Sequence, residues 1–150
     1  MNKRINVRGI IVKENKIYFI HRIKNKEDYY VFPGGGLENT ETIQDGLERE
    51  LKEEINIKVD IIKELYQLER EESIDHYILC NHKSGHFGVS DGPEYTSPEY
   101  KDRGQYIPCS LNIEELEQYN IVPEIIKKAL IDDISKGINL DQVDLKTFYL

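Results

Sequence analysis

The sequence predicts an α/β fold in which a mixed sheet lies between two helices. Two observations predict the helices. Apolar residues recur at helical spacing from Ile43 to Ile55 and again after Pro123. A third predicts the sheet: short runs with strand character come before, between and after those helices. At 150 residues the chain is long enough for one modest core, and residues 1–150 are read as a single domain.

Taken in order, Ile5-Asn6-Val7-Arg8-Gly9-Ile10-Ile11-Val12 is the first strand. Its alternation breaks at Gly9, the mark of a bulge or of close backbone approach. Asn15-Lys16 turns the chain into a second strand, Ile17 to His21. Lys24 to Asp28 is a charged loop without period. Tyr30 to Pro33 is a short apolar run that ends at Gly34, Gly35 and Gly36. A helix follows, with Thr40 as its expected N-cap and Thr42 as the alternative. Glu41 falls in the first turn, where the helix dipole favours a negative side chain. Ile43, Leu47, Leu51 and Ile55 form its apolar stripe.

Beyond the helix, Ile57 to Leu65 has strand character, with Val59, Ile61 and Leu65 on one side. Glu69-Arg70-Glu71-Glu72 is a solvated hairpin end. Asp75 to Asn81 alternates His76, Ile78 and Cys80 against Tyr77 and Leu79. Lys83 to Gly104 is long and irregular, and such segments are often functional. Gln105 to Leu111 is again strand-like, and Asn112 to Leu116 is a capped short helix. Pro123 opens a longer helix through Ser135, striped by Ile125, Ile126, Leu130 and Ile134, with Gly137 as its stop. Val143 to Leu150 ends in an apolar tail that either packs on the domain or meets a partner chain.

The chemistry concentrates between Phe32 and Ile57. Glu50, Glu53 and Glu54 are spaced i, i+3, i+4, so their carboxylates converge on one side of the helix. On a helical wheel Glu54 falls between Ile43 and Leu47, and Glu50 between Gly46 and Ile43, so the two sit within or beside the inward face. Buried carboxylates repel one another and need a positive partner. Arg49 points elsewhere on the wheel and is expected to neutralise at most one of them. A divalent cation accounts for the cluster better, and all-oxygen ligands favour Mg2+ or Mn2+ over zinc. The glycines preceding the helix let backbone approach a ligand. They lack both the Gly-Lys-Ser/Thr ending of a P-loop and the spacing of a dinucleotide fingerprint.

This stretch resembles the Nudix box of Nudix hydrolases. In that pattern a glycine is followed by five residues, a Glu, seven residues, then Arg-Glu-aliphatic-x-Glu-Glu-x-Gly-aliphatic. Gly35, Glu41 and the run Arg49-Glu50-Leu51-Lys52-Glu53-Glu54-Ile55-Asn56-Ile57 follow it, with Asn56 in place of the usual glycine. Asn tolerates the left-handed conformation that a helix C-terminus uses. Thr40 also stands where many members have Gly. The upstream runs Ile17 to Arg22 and Tyr30 to Pro33 are similar to the strands that deliver the chain into the box.

The resemblance implies an α/β/α sandwich. It also implies Mg2+- or Mn2+-dependent hydrolysis of a nucleoside diphosphate linked to another moiety X, by attack of a metal-activated water on phosphorus. The alternative is a sensor module that binds nucleotide without cleaving it. Carried over by motif position, Glu50, Glu53, Glu54 and the Gly35 carbonyl would hold the metal, and Arg49 and Glu41 would orient them. Gly34, Gly35, Gly36 and Arg22 would meet substrate. A further acid from the late loop, Glu94 before Glu99, would join the metal or act as base; Glu50 and Glu53 are the other candidates for base. The base and X stay open: a modified purine nucleoside triphosphate, ADP-ribose, dinucleoside polyphosphates and nucleotide sugars all fit. Tyr29, Tyr30, His76, Phe87 and Tyr106 are candidates to stack on a base.

The formal net charge of −8 argues against sequence-independent binding to duplex nucleic acid, while a small nucleotide remains compatible because a cation bridges acid to acid. No apolar run reaches membrane-spanning length, so no membrane partner is expected. Met1-Asn2-Lys3-Arg4 lacks the apolar core of a signal peptide. Cys80 and Cys109 fit no metal or redox spacing and are expected to be reduced, in a cytoplasmic protein for which a homodimer is compatible.

Overall fold

The computed structural model of the chain describes residues 3–88 and 104–150. β1 (Arg4–Lys13) runs through the middle of the sheet because it is apolar on both faces: Val7 and Ile11 project to one side, Ile10 to the other. A turn at Glu14–Asn15 sends β2 (Lys16–Lys24) back antiparallel, and a turn at Asn25–Lys26 does the same for β3 (Glu27–Val31). The charged loop expected over Lys24 to Asp28 is thus only that tight turn. β4 (Gly34–Gly36) then pairs antiparallel with β1, and α1 (Ile43–Ile55) follows.

β5 (Lys58–Glu69) and β6 (Ser73–Ser84) form a hairpin, and β6 lies parallel to β1. β7 (Gln105–Asn112) pairs with β2, β8 (Ile121–Val122) with β3, and β9 (Lys146–Tyr149) with β5. The second helix, α2 (Glu124–Ser135), lies between β8 and β9. Among the described residues the main path of the mixed sheet runs β8-β3-β2-β1-β6-β5-β9, with β4 on β1 and β7 on β2.

Each face of the sheet carries one helix. Leu47, Leu51 and Ile55 of α1 close over Val7, Ile11, Ile20, Ile78 and Cys80. Ile126 and Leu130 of α2 close over Ile10, Phe19, Phe32, Tyr66 and Leu79. A fully buried Leu or Ile contributes about 1.5–3 kcal/mol relative to exposure, so these layers fix where α1 sits. The α/β/α sandwich is the arrangement found.

Several local expectations are refined. Gly9 is a place of close approach rather than a bulge: a Cβ there would stand 3.3 Å from Leu51 Cδ1, and the β1–β6 register runs through it unbroken. Val59 and Ile61 join the α1 layer but Leu65 joins the other, because the register shift between Ile61 and Lys63 turns β5 over. The apolar tail packs on its own domain: Lys146–Tyr149 adds a parallel strand to β5. Asp133 of α2, 1% exposed, locks that end. It accepts from Tyr66 Oη at 2.6 Å, Lys146 Nζ at 2.6 Å and Lys136 Nζ at 3.3 Å.

Candidate active site

α1 begins at its alternative cap. Thr42 is extended, and its Oγ1 accepts from Asp45 N–H at 3.1 Å, whereas Thr40 has φ 71°, a left-handed value unsuited to an N-cap. The expectation of Thr40 is corrected accordingly. At the other end Asn56 takes the left-handed cap (φ 62°, ψ 35°), and its N–H reaches the Leu51 and Lys52 carbonyls. Its side chain adds what glycine could not: Nδ2 donates to the His86 carbonyl at 3.1 Å, and Oδ1 accepts from Lys52 Nζ at 3.0 Å.

With its ends set, α1 lays its acids along β4. Glu54 is buried, and its Oε1 accepts from Gly34 N–H at 3.3 Å. Glu50 lies against Gly35 so closely that a Cβ there would stand 2.7 Å from the carboxylate, so only glycine fits. Glu53, half-exposed, turns outward toward Arg49. The wheel therefore places Glu50 and Glu54 correctly on the inward face.

Arg49 does more than the wheel allows. Its Nε and Nη2 hold both oxygens of Glu41, at 2.7 and 3.0 Å, and Nη1 donates to Glu50 Oε1 at 3.1 Å and Glu53 Oε2 at 3.3 Å. Nη2 also reaches the Gly36 carbonyl at 3.2 Å. The fork thus reaches three acids where the wheel gives it none of the cluster, although its single positive charge still offsets only one of them: a wheel shows where a side chain leaves the helix, and a guanidinium fork spans several ångströms beyond that point. Glu41 is further held by the Glu38 N–H at 2.8 Å. Arg49 first, and then that N–H, bring its carboxyl down to about 2. The same fork raises Arg49.

The glycine strand presents two carbonyls, and neither is that of Gly35. Gly9 N–H donates to Pro33 and Leu37 N–H to Ile5, so Val7–Gly35, midway between, is a hydrogen-bonded pair of the antiparallel ladder. The Gly35 carbonyl points at β1, which corrects the expectation that it meets a metal. The carbonyls of Gly34 and Gly36 point out of the ladder. Gly34 accepts from Arg8 Nη1 at 3.2 Å, and the same nitrogen reaches the Phe32 carbonyl at 3.1 Å. Arg8 was missed in the sequence because a basic residue in a strand reads as a solvated position.

Among the described residues no three His, Cys, Asp or Glu side chains are placed together so as to hold a metal ion. Glu50 and Glu53 are gathered on Arg49, and Glu54 on Gly34. The donor chemistry still suits a hard cation: the candidate ligands are carboxylates on adjacent turns of α1 beside β4, with no sulfur or imidazole among them. Glu94 and Glu99 lie outside the described residues.

Arg22 continues the row of Tyr18 and Ile20 on the α1 face of β2, four residues on from Tyr18. Its guanidinium stands 3.7 Å from the ring centre of Tyr106 and 5.9 Å from that of Tyr29. The other aromatic candidates have partners too: Tyr30 stacks on His21, Phe87 on Tyr18, and His76 bonds Glu64. A cavity of about 220 Å3 lies on the opposite face, between Arg8, Phe32, Arg70, Asp75, Tyr77 and Pro123. A larger one, about 510 Å3, flanks the outer side of α1 at Glu48, Lys52, Lys58 and Lys83, and none of the three acids lines it.

Comparison with known proteins follows the same stretch. A family model described as NUDIX domain matches residues 2–103. An "8-oxo-dGTP diphosphatase" of Buchnera aphidicola subsp. Schizaphis graminum is 44% identical over 53 residues, covering 34% of this chain and 41% of that relative. An "RNA pyrophosphohydrolase" of Pelagibacter ubique is 41% identical over 59 residues, 37% of each chain. The match thus spans about two-fifths of the length of these curated relatives. Among solved structures, a NUDIX hydrolase from Nitrosomonas europaea superposes with a TM-score of 0.74 over 100% of this chain and 81% of its own, at 18% identity, a likeness of fold.

Proposed function

Because the chain belongs to the NUDIX family, we propose that it is a Mg2+-dependent hydrolase that cleaves the diphosphate of a nucleoside diphosphate linked to another moiety. The observation that carries this reading is the seating of Glu54 on Gly34 N–H and of Glu50 against Gly35. Helix acids and glycine backbone thereby share one place, where a diphosphate and its cation can be held together.

Glu50, Glu53 and Glu54 would hold the cation, with the Gly34 carbonyl, out of the ladder and on the residue whose N–H meets Glu54, as the candidate backbone oxygen. When bound, Mg2+ neutralises phosphate oxygens and lowers the pKa of water. The chain supplies the rest. Arg49 and Glu41 brace each other and keep Glu50 and Glu53 from splaying. One carboxylate accepts the proton of the attacking water, with Glu50, Glu53 and Glu94 as the candidates. Gly34, Gly35 and Gly36 let the chain's own backbone approach the substrate, and Arg22 meets a phosphate. The nucleoside end is assigned to the 220 Å3 cavity, because Arg8 joins its wall to the Gly34 carbonyl. The relatives named for 8-oxo-dGTP and for RNA make a purine nucleoside triphosphate, oxidised or at an RNA 5′ end, the first substrates to try.

Glu53→Gln tests the reading. It should lower Mg2+-dependent phosphate or diphosphate release by at least about 100-fold while circular dichroism stays unchanged. A folded variant with full turnover would overturn the assignment.

A further inference from the structure

A second arginine lies on the glycine strand, on the face away from the acids. Asn6 pairs with Gly36 across β1 and β4, and both project opposite to Val7 and Gly35. The Arg4 guanidinium is laid against that glycine: a Cβ on Gly36 would stand 2.8 Å from Nη2 and 3.1 Å from Nε. A relay brings it there. Arg4 Nε donates to Asn6 Oδ1 at 3.1 Å, and Asn6 Nδ2 donates to Asp75 Oδ1 at 2.7 Å. Asp75 Oδ2 in turn accepts from Arg70 Nε at 3.2 Å.

That relay uses one donor of the Arg4 fork. The Nη groups have no acceptor among the described residues. Arg8, Arg49 and Arg70, its neighbours around β4, each spend donors on a carbonyl or carboxylate. An exposed guanidinium whose Nε is tethered and whose Nη donors stay open is aimed, and its planar fork matches phosphate oxygens. A metal cation held by the acids on one face of the three glycines, and the Arg4 guanidinium on the other, would grip the two ends of one short anion.

We infer that Arg4 is a substrate-binding residue whose Nη groups take the phosphate of the diphosphate that lies farther from the cation the helix carboxylates would hold, with Asn6 and Asp75 setting its direction. This rests on the reaction proposed above. The test measures Arg4→Gln and Arg4→Lys against wild type in two ways. One is kcat and KM for dGTP with Mg2+. The other is calorimetric binding of inorganic diphosphate to the metal-free protein.

Loss of a charge-assisted contact made equally in ground and transition states should raise KM about tenfold with kcat within about twofold. Diphosphate binding should weaken by a similar factor, Arg4→Lys should fall between, and the melting temperature should hold. Unchanged KM and unchanged diphosphate affinity in Arg4→Gln overturn the inference, as does a wild-type protein that binds no diphosphate. Wild type that binds diphosphate through Arg4 yet turns over no nucleotide sinks the reaction and leaves the anion site standing. Wild type that turns over nucleotide while Arg4→Gln matches it sinks the Arg4 site alone.

Discussion

Glu41 titrates far from where a solvated Glu would. Its carboxyl is brought from the ordinary 4.5 to about 2 by Arg49 and by the Glu38 N–H. A carboxyl depressed in the folded state stabilises it at pH values above the unfolded pKa, and that contribution fades as pH falls from about 4.5 toward 2. Glu41→Gln should therefore melt below wild type at pH 7, and the gap should close by about pH 2, as followed by thermal melts across that range. A gap that persists unchanged at low pH would mean the ion pair does not carry it. The Glu41–Arg49 fork also shows what one residue's sequence context conceals. Spacing brings out the motif, but the reach of Arg49 to Glu41, Glu50, Glu53 and the Gly36 carbonyl depends on β4 folding beneath the helix. Arg4 and Arg8 are concealed for the same reason: Arg8 bonds carbonyls at Phe32 and Gly34, and Arg4, tethered within β1 by Asn6, lies against Gly36 of another strand.

For α1 as an element, the caps decide stability. Asn56 holds a left-handed position and ties the helix end to His86. Asn56→Ala should cost about 1–2 kcal/mol, because a Cβ-bearing residue without a local amide is strained there. Asn56→Gly, which restores the residue usual in the Nudix box, should cost less, since it keeps the conformation and loses only the side-chain bonds. Urea unfolding of the two variants checks the order, and Gly falling below Ala would refute it. The body and C-terminal end of this helix were legible in sequence because a periodic stripe and an asparagine stop agree, whereas its start was not, since two threonines compete for the cap and the left-handed turn at Thr40 shows only in the fold. β5 was less legible. Of its three register shifts, the one between Ile61 and Lys63 moves Leu65 to the other face, and nothing in Ile57 to Leu65 signals where a strand will turn over. The strand in the C-terminal tail was also hidden, because four residues with one phenylalanine become a strand only when an edge such as β5 is there to receive them.

At the scale of the whole molecule, the site depends on two helices clamped to opposite faces of one sheet. Asp133 is the polar fastening on the α2 side. Burial alone would raise its carboxyl, but Lys146, then Tyr66 and Lys136, together hold it below its ordinary value. Asp133→Ala should destabilise the fold by roughly 3 kcal/mol, at the low end for a broken buried pair because Lys146, its side chain 39% exposed, can hydrate. Its catalytic constants at low temperature should stay near those of wild type, since nothing in the fastening touches α1. Chemical denaturation and steady-state kinetics on one preparation separate the two effects. The family and the acidic motif were legible from Gly35 to Ile57; the fastening was not, because Tyr66, Asp133 and Lys146 are far apart in the chain and each reads as ordinary alone.

The central strand has one more effect, on how the chain is made. β1 is synthesised well before β6, yet β6 is its parallel neighbour, with Arg4 set beside Ser73. Until that partner is synthesised, a strand apolar on both faces waits without its neighbour. Early trigger-factor-like shielding, or a pause in translation after β6 clears the exit tunnel, should therefore raise the soluble yield more than any change near the carboxylates.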